Sequence, residues 1–386
     1  MTTVVLAGAL ANKHTWGGSA WVRMSWADAL RDLGFDVLFV DQINAADCVD
    51  EAGEPAAFVD CANARAFSRT TSAFGLAGSA ALICADNGRI IGMEPDELRR
   101  RMADAPVLIN LSGHLRIEEL LDLVSCRVFV DLDPVYTQIW HADGLDRGGL
   151  DSHQLHFSVG ANVGGPDWDL PTAGVKWRPV RQPVSLKRWP VAGGDRFDGF
   201  STVASWRGAF GPPTWGEHTY GAKAHSFRHF TELPAIVGED FSIVLDIDPA
   251  DHSDRTQFVD GGWNVVSPEK TRGVDAFRSF IRGSGAEFSA AQDAYVRSRS
   301  GWFSDRTVRY LASGRPALVQ DTGFAEQLPV GLGLVPFSDV DEAVAGAHSI
   351  VRDYARHRVA ARRIAEEYFA PQAALAPLLE AAEVTV

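Results

Sequence analysis

Two cations stand in the middle of the chain. Arg207 follows the apolar run Phe200–Trp206 directly, and Lys223 opens a helix-like stretch. A fixed positive pair suits a leaving diphosphate, on which negative charge grows as a bond breaks. Further on, Ser300, Gly301, Trp302, Phe303, Ser304, Asp305 and Arg306 read as a glycine loop opening a helix, with Glu287 on a strand before it. The free N–H groups and positive dipole end of such a helix attract an anion. The loop Asp321, Thr322, Gly323 and Phe324 lets backbone approach a ligand closely. Gly17 and Gly18 form an earlier glycine loop, preceded by Lys13 and His14. Trp206 and Trp302, beside these phosphate candidates, have faces on which a ring can stack. Each feature also has a plainer use as a tight turn, a solvated cation or a core aromatic. Their order along the chain points to a ligand.

Carboxylates and imidazoles supply the remaining chemistry. His114 ends the apolar run Val107–Leu111 and suits contact with a hydroxyl or work as a base. Asp131 and Asp133 follow another strand, and Asp246 and Asp248 a third. Alternate carboxylates on a strand end point the same way and resemble a divalent-metal pair. Asp131 and Asp133 read as cleft-lining or structural rather than as metal ligands, with contact to a second substrate open to them and to His14. His141, Asp143, Asp146, Asp151, His153 and His156 are spaced irregularly among glycines, which suits a polar loop better than a metal cage. No metal site is expected.

These residues need a scaffold. The chain has 386 residues, 46% hydrophobic and 22% charged, enough for two globular domains. Its net charge of −14 and lack of a long basic run argue against a nucleic-acid partner. The four cysteines lack a Cys-x-x-Cys spacing and read as reduced cytosolic thiols. No apolar run is long enough to span a bilayer, so a cytoplasmic protein is expected. Val4–Leu10, Ser19–Arg31 and Phe35–Asp41 form a strand–helix–strand unit. The alternation recurs, with strands predicted at Val107–Leu111, Arg127–Val130, Phe200–Trp206, Ser242–Asp246, Trp263–Val266, Ala317–Gln320 and Leu332–Phe337. Residues 160–195 are dense in glycine and proline and predict a hinge. The segment after Asp341 is helical by composition.

The order of strand, Ser300–Gly301 loop, helix ending Ala312-Ser313-Gly314-Arg315-Pro316, strand, Thr322–Gly323 loop and Gly333–Phe337 strand resembles the donor domain of GT-B glycosyltransferases. It is closest to their large retaining family and to an actinobacterial branch carrying the 300–306 block. The resemblance implies an α/β fold of two Rossmann-like domains facing a central cleft. It implies an acceptor-binding domain over 1–190, a nucleotide-sugar-binding domain over 195–365, and a helical tail, 366–386, crossing back to the first. Arg207, Lys223 and His114 are the implied catalytic residues. Gly17, Gly18, Ser205, Trp206, Glu287, 300–306 and 321–324 are the implied donor contacts. One departure is plain: Arg309 and Gly301 hold the places of the family's two glutamates, leaving the ribose to Asp305 or Glu326.

The implied activity is metal-independent, retaining transfer of a sugar from a UDP-, GDP- or TDP-sugar to a small acceptor. The alternatives on the same scaffold are a nucleotide-sugar epimerase or hydrolase, or a silent nucleotide-sugar binder.

Overall fold

The computed structural model describes residues 1–194, 196–207 and 210–385. The expected start of the second domain, residue 195, and Gly208 beside Arg207 lie outside the described residues.

The first sheet holds β1 (Thr3–Ala7), β2 (Asp36–Ile43), β3 (Ala80–Cys84), β4 (Ile90–Ile91), β5 (Val107–Leu111), β6 (Cys126–Asp131), β7 (Leu155–Ser158) and β8 (Trp177–Pro179). Their spatial order is β4-β3-β2-β1-β5-β6-β7-β8. In this sheet only the short β3–β4 pair is antiparallel among the described residues. β1, β2, β3 and β5 are apolar runs because both faces are covered. The order reverses at β1, which pairs with both β2 and β5, Leu6 facing Phe39 and Ile109. Ligand crevices in such sheets open at the carboxyl ends of the strands flanking that reversal. Gly8 and Ser112 sit there.

After the β10 (Thr214–Trp215) and β11 (His218–Thr219) hairpin, which follows β9 (Phe200–Ser205), come β12 (Phe241–Asp246), β13 (Asn264–Val266), β14 (Ala286–Ser289), β15 (Ala317–Gln320) and β16 (Leu334–Phe337). The second sheet is parallel and ordered β13-β12-β9-β14-β15-β16, reversing at β9.

The two units pack on each other. The helix Gly17–Asp32 lies against the helix Val274–Gly283, and the Trp21 indole donates to the Val274 carbonyl at 2.8 Å. One apolar core runs through both units and takes in Trp21, Phe277, Phe303 and Phe369. The helix at 17–32 is therefore buried all round over residues 20–30, not on one face as an isolated amphipathic reading predicts. The terminal helix Pro371–Ala381 returns to touch it, and Phe369 stacks on Phe303 at 5.2 Å.

Candidate functional site

A chain of charges, from exposed Lys13 through half-buried Asp133, Asp305 and Lys223 to buried Arg23 and Arg306, crosses from one unit to the other. Lys13 comes from the first loop and Arg23 from the helix behind it. Asp133 follows β6, and Asp305 and Arg306 open the helix Asp305–Ala312. Lys223 begins the short helix Lys223–Phe227. Burial lowers the Lys13 ammonium's pKa, Arg23 adds to the fall, and Asp133 opposes it. Burial raises the Asp133 carboxyl against the pull of Lys13 and Arg23, and Asp305 adds to the rise. Arg23 feels Asp133, Asp305 and Asp41. Burial pushes Lys223 down to about 7; Arg306 adds to that, and Glu287 and Asp305 oppose it. Among the described residues neither the Lys13 nor the Lys223 ammonium has an ion pair or a hydrogen bond, though Lys223 Nζ lies 5.7 Å from the Phe227 ring centre. Two ammonium groups, one on exposed Lys13 and one on half-buried Lys223, neither in an ion pair with a carboxylate, are placed to receive an anion.

Two cavities flank this chain. One, of about 250 Å³, lies between Thr15–Ser19 and the carboxyl ends of β9 and β12, walled by Ser205, Asp246, Pro268 and Phe277. The other, of about 310 Å³, has Asp133 in its lining with Phe129, Trp140, His141, Arg147 and Phe210. Val203 joins the first cavity to the charges, because its carbonyl accepts from Arg306 Nη1 at 2.6 Å.

The residues singled out from sequence divide into three groups. Lys223, Asp305 and Asp133 are brought together in the charge chain, while Gly17, Gly18 and Ser205 line the first cavity. A second group is engaged in structural contacts, some within the second unit and some between the units. Arg306 is committed to Glu287 at 2.7 Å and Ser289 at 2.6 Å. Gly17 presses on second-unit backbone, where an added Cβ would meet the Gly273 oxygen at 2.2 Å. Gly301 and Gly323, both at positive φ, approach Asn162 of the first unit rather than open space. Thr322 donates to the Trp302 carbonyl at 2.5 Å, and Asp321 accepts from the Gly323 and Ala325 amides. Ser300 donates to the Tyr295 carbonyl at 3.4 Å, Phe324 meets Phe303 edge-on, and Trp302 stacks on Tyr295 at 4.5 Å. Ser304 caps the helix that Ser300–Gly301 is predicted to open; the helix begins at Asp305 because Gly301 is left-handed.

The third group lies apart. Arg207 is exposed and held by Asp251 at 2.7 and 3.0 Å. Trp206 is core, only 1% exposed, and donates to Asp254 at 2.8 Å. His14 touches Asn63 at 3.3 Å. Burial lowers its pKa, helped by Arg272 and Arg69. Glu326 pairs on the surface with Arg299.

His114 and Asp131 have partners that the sequence did not announce. His114 Nε2–H donates to Asp41 at 2.6 Å and to the Gln42 carbonyl at 3.0 Å. Asp41, fully buried, also accepts the Leu10 and Ala11 amides. Asp131 accepts from Thr137, Gln138 and Ser158 and from the Asp133 amide. Burial lifts it to about 6 against those three side-chain bonds. It is a scaffold for the 131–138 loop, fully enclosed, and lines neither cavity. Val135 in that loop holds φ of 77°, a strained value for a β-branched residue.

Arg309, at the ribose-glutamate position, pairs with Asp305 and reaches Ser25 of the first unit at 3.3 Å. Arg23, Asp41 and Arg309 were not legible as site residues, since their partners stand far away in sequence. A charged residue at a buried helix position was the available signal for Arg23.

No family model matches this sequence, and no curated protein matches it. Solved structures match over nearly its whole length. An alpha-glucosyltransferase in complex with UDP and a 13-mer DNA superposes with a TM-score of 0.56 at 10% identity, covering 99% of both chains. Anabaena Alr3699/HepE in complex with UDP and glucose gives 0.56 at 10% identity, over 99% of this chain and 100% of that one. AviGT4, a glycosyltransferase involved in avilamycin A biosynthesis, gives 0.53 at 14% identity, over 99% and 97%. The chain thus has the two-domain GT-B fold. One expectation is corrected: a structure of this fold holds DNA beside UDP, so an acidic chain without a basic run does not exclude a nucleic-acid partner. Among the described residues no group of three or more His, Cys, Asp or Glu could hold a metal ion. No described helix is long and apolar enough to cross a membrane.

Proposed function

We propose that the chain is a glycosyltransferase that uses a nucleotide sugar. The observation that carries this reading is the pair of ammonium groups of Lys13 and Lys223, one from each unit and neither in an ion pair, in a charge chain that reaches the cavity at the β9 switch point through Arg306. The nucleoside binds in the 250 Å³ cavity and its diphosphate lies toward the two ammonium groups. The acceptor occupies the cavity lined by Asp133. Asp133 takes the acceptor hydroxyl proton as that oxygen bonds to the anomeric carbon. The anomeric C–O bond to the diphosphate breaks, and its electron pair leaves with the nucleoside diphosphate. Lys13 and Lys223 offset the charge that grows there, which lowers the barrier more than it strengthens ground-state binding.

The resemblance implies retention of configuration, which in this one-step transfer requires the acceptor oxygen to bond on the face that the diphosphate leaves; the anomer of the product, read by NMR, checks it. The reaction needs no metal, because the ammonium pair does a cation's work. Full turnover in EDTA is expected, and loss restored by manganese would overturn that point. The four unpaired cysteines suit a reducing cytoplasm. Calorimetry against UDP, GDP and TDP, followed by assay of sugar release from the matching donor, tests the whole reading. One nucleotide should bind and its sugar donor be consumed. Binding of none of the three would sink it.

A further inference from the structure

The acceptor cavity has a graded chemistry. Its buried end is the Asp133 carboxyl, near Thr137. Its middle is apolar, formed by Phe129, Trp140 and Phe210, with Trp140 and Phe210 edge to face at 4.7 Å. Its mouth is the exposed Arg147, whose guanidinium carbon sits 4.8 Å from the Trp140 ring centre and 5.9 Å from that of Phe210. Stacking uses the faces of a guanidinium and leaves its N–H edge free. The Arg147 guanidinium donates no hydrogen bond and meets no carboxylate among the described residues. Its neighbour Asp146 is turned to the Gly149 and Leu150 amides and to Arg116. His141, also in the lining, has its Nδ1 buried without a partner.

From this the geometry points to an acceptor of one class: a hydroxylated aromatic carboxylate. Its hydroxyl meets Asp133, its ring lies among the aromatic side chains, and its carboxylate takes the N–H edge of Arg147 with help from His141. A free sugar is a poor match, because its hydroxyls would face the apolar middle without partners. Phe210 comes from the second unit, so the wall is completed only when the units are together. This inference rests on the glycosyltransferase reading for its chemistry, but its binding test stands apart from it.

The probes are 4-hydroxycinnamate and its neutral amide, titrated calorimetrically into the whole protein, with nucleoside diphosphate binding measured alongside. The acid is expected to bind at least tenfold tighter than the amide. Arg147→Gln should erase that difference while leaving amide and nucleotide affinity unchanged, and Arg147→Lys should restore part of it. Charge-assisted hydrogen bonds of this kind typically account for about ten- to hundredfold. Equal binding of acid and amide, equal loss of both in Arg147→Gln, or no binding of either would overturn the proposal. Failure of nucleotide binding alone would count against the glycosyltransferase reading and leave the acid-over-amide comparison to decide this one.

Discussion

Lys223 and Arg207 look alike in sequence and differ in surroundings. Arg207 is exposed and already answered by Asp251, and exposed pairs contribute little. Lys223 is desolvated and unanswered. Lys223→Ala should lower turnover about a hundredfold, the typical cost of one aimed electrostatic contact, while Arg207→Ala stays within a few-fold of wild type. Because burial brings Lys223 to about 7, its charge is present below that pH and lost above it. So kcat/KM should fall as pH rises through about 7, and Lys223→Arg, which keeps its charge, should flatten the fall. An unchanged profile in that variant would remove Lys223 from the reaction. The two aspartates separate in the same way. Asp133→Asn should leave the fold intact and cut turnover by roughly a hundredfold or more, as loss of a general base does. Asp131→Asn instead puts a donor where Thr137, Gln138 and Ser158 already donate. It should cost about 1–3 kcal/mol of stability in urea melts.

At the scale of elements, the loops at strand ends decide the chemistry, and they were the least legible part. The strands Val107–Leu111 and Ala317–Gln320 coincide with their apolar runs, because a strand buried on both faces must be apolar throughout. β7 and β8 were missed: each is short, β7 at the end of the stretch that reads as a polar loop and β8 among the glycines and prolines that read as hinge. The charge chain was illegible because its pairs, such as Arg23 with Asp305, come together only when the two units meet. His153 shows what such a loop costs. It donates from Nδ1 to the Gly149 carbonyl at 2.7 Å and accepts from Asn110 at 3.1 Å through Nε2. That arrangement requires a neutral ring, and burial holds its pKa at about 4. The unfolded chain takes the proton near the ordinary 6.5 and the folded chain only near 4. Stability from this residue is therefore full above pH 6.5 and lost as pH falls toward 4. Between pH 7 and 5 the loss should be about 2 kcal/mol. Asp131, raised to about 6, gains stability over the same range, so the loss is read as the difference between wild type and His153→Gln in urea melts at both values; no difference would mean the ring is not held neutral.

At the scale of the whole molecule, the glycines first read as ligand loops join the two units. Gly17 meets the Gly273 and Thr271 carbonyls, Gly18 the Phe277 ring, and Gly301 and Gly323 the Asn162 loop. Trp16 bridges to Arg272 and Gly160 to Trp302. A closed seam of this kind brings Arg23 to Asp305, and Phe210 to Trp140. The seam can be tested at one atom. In Gly17→Ala the new Cβ would sit 2.2 Å from the Gly273 oxygen and 2.8 Å from that of Thr271. Both are backbone, so no side-chain swing relieves the clash. Each sheet keeps its own core, and the strain should be released by the units moving apart by about an ångström. A misplacement of that size commonly costs about a hundredfold in rate. Gly17→Ala should therefore lose turnover to that degree and show a larger radius of gyration in solution scattering. Its affinity for aromatic carboxylates should fall too, since Phe210 withdraws with the second unit. Wild-type scattering and turnover in this variant would show that the closed seam is not the working state.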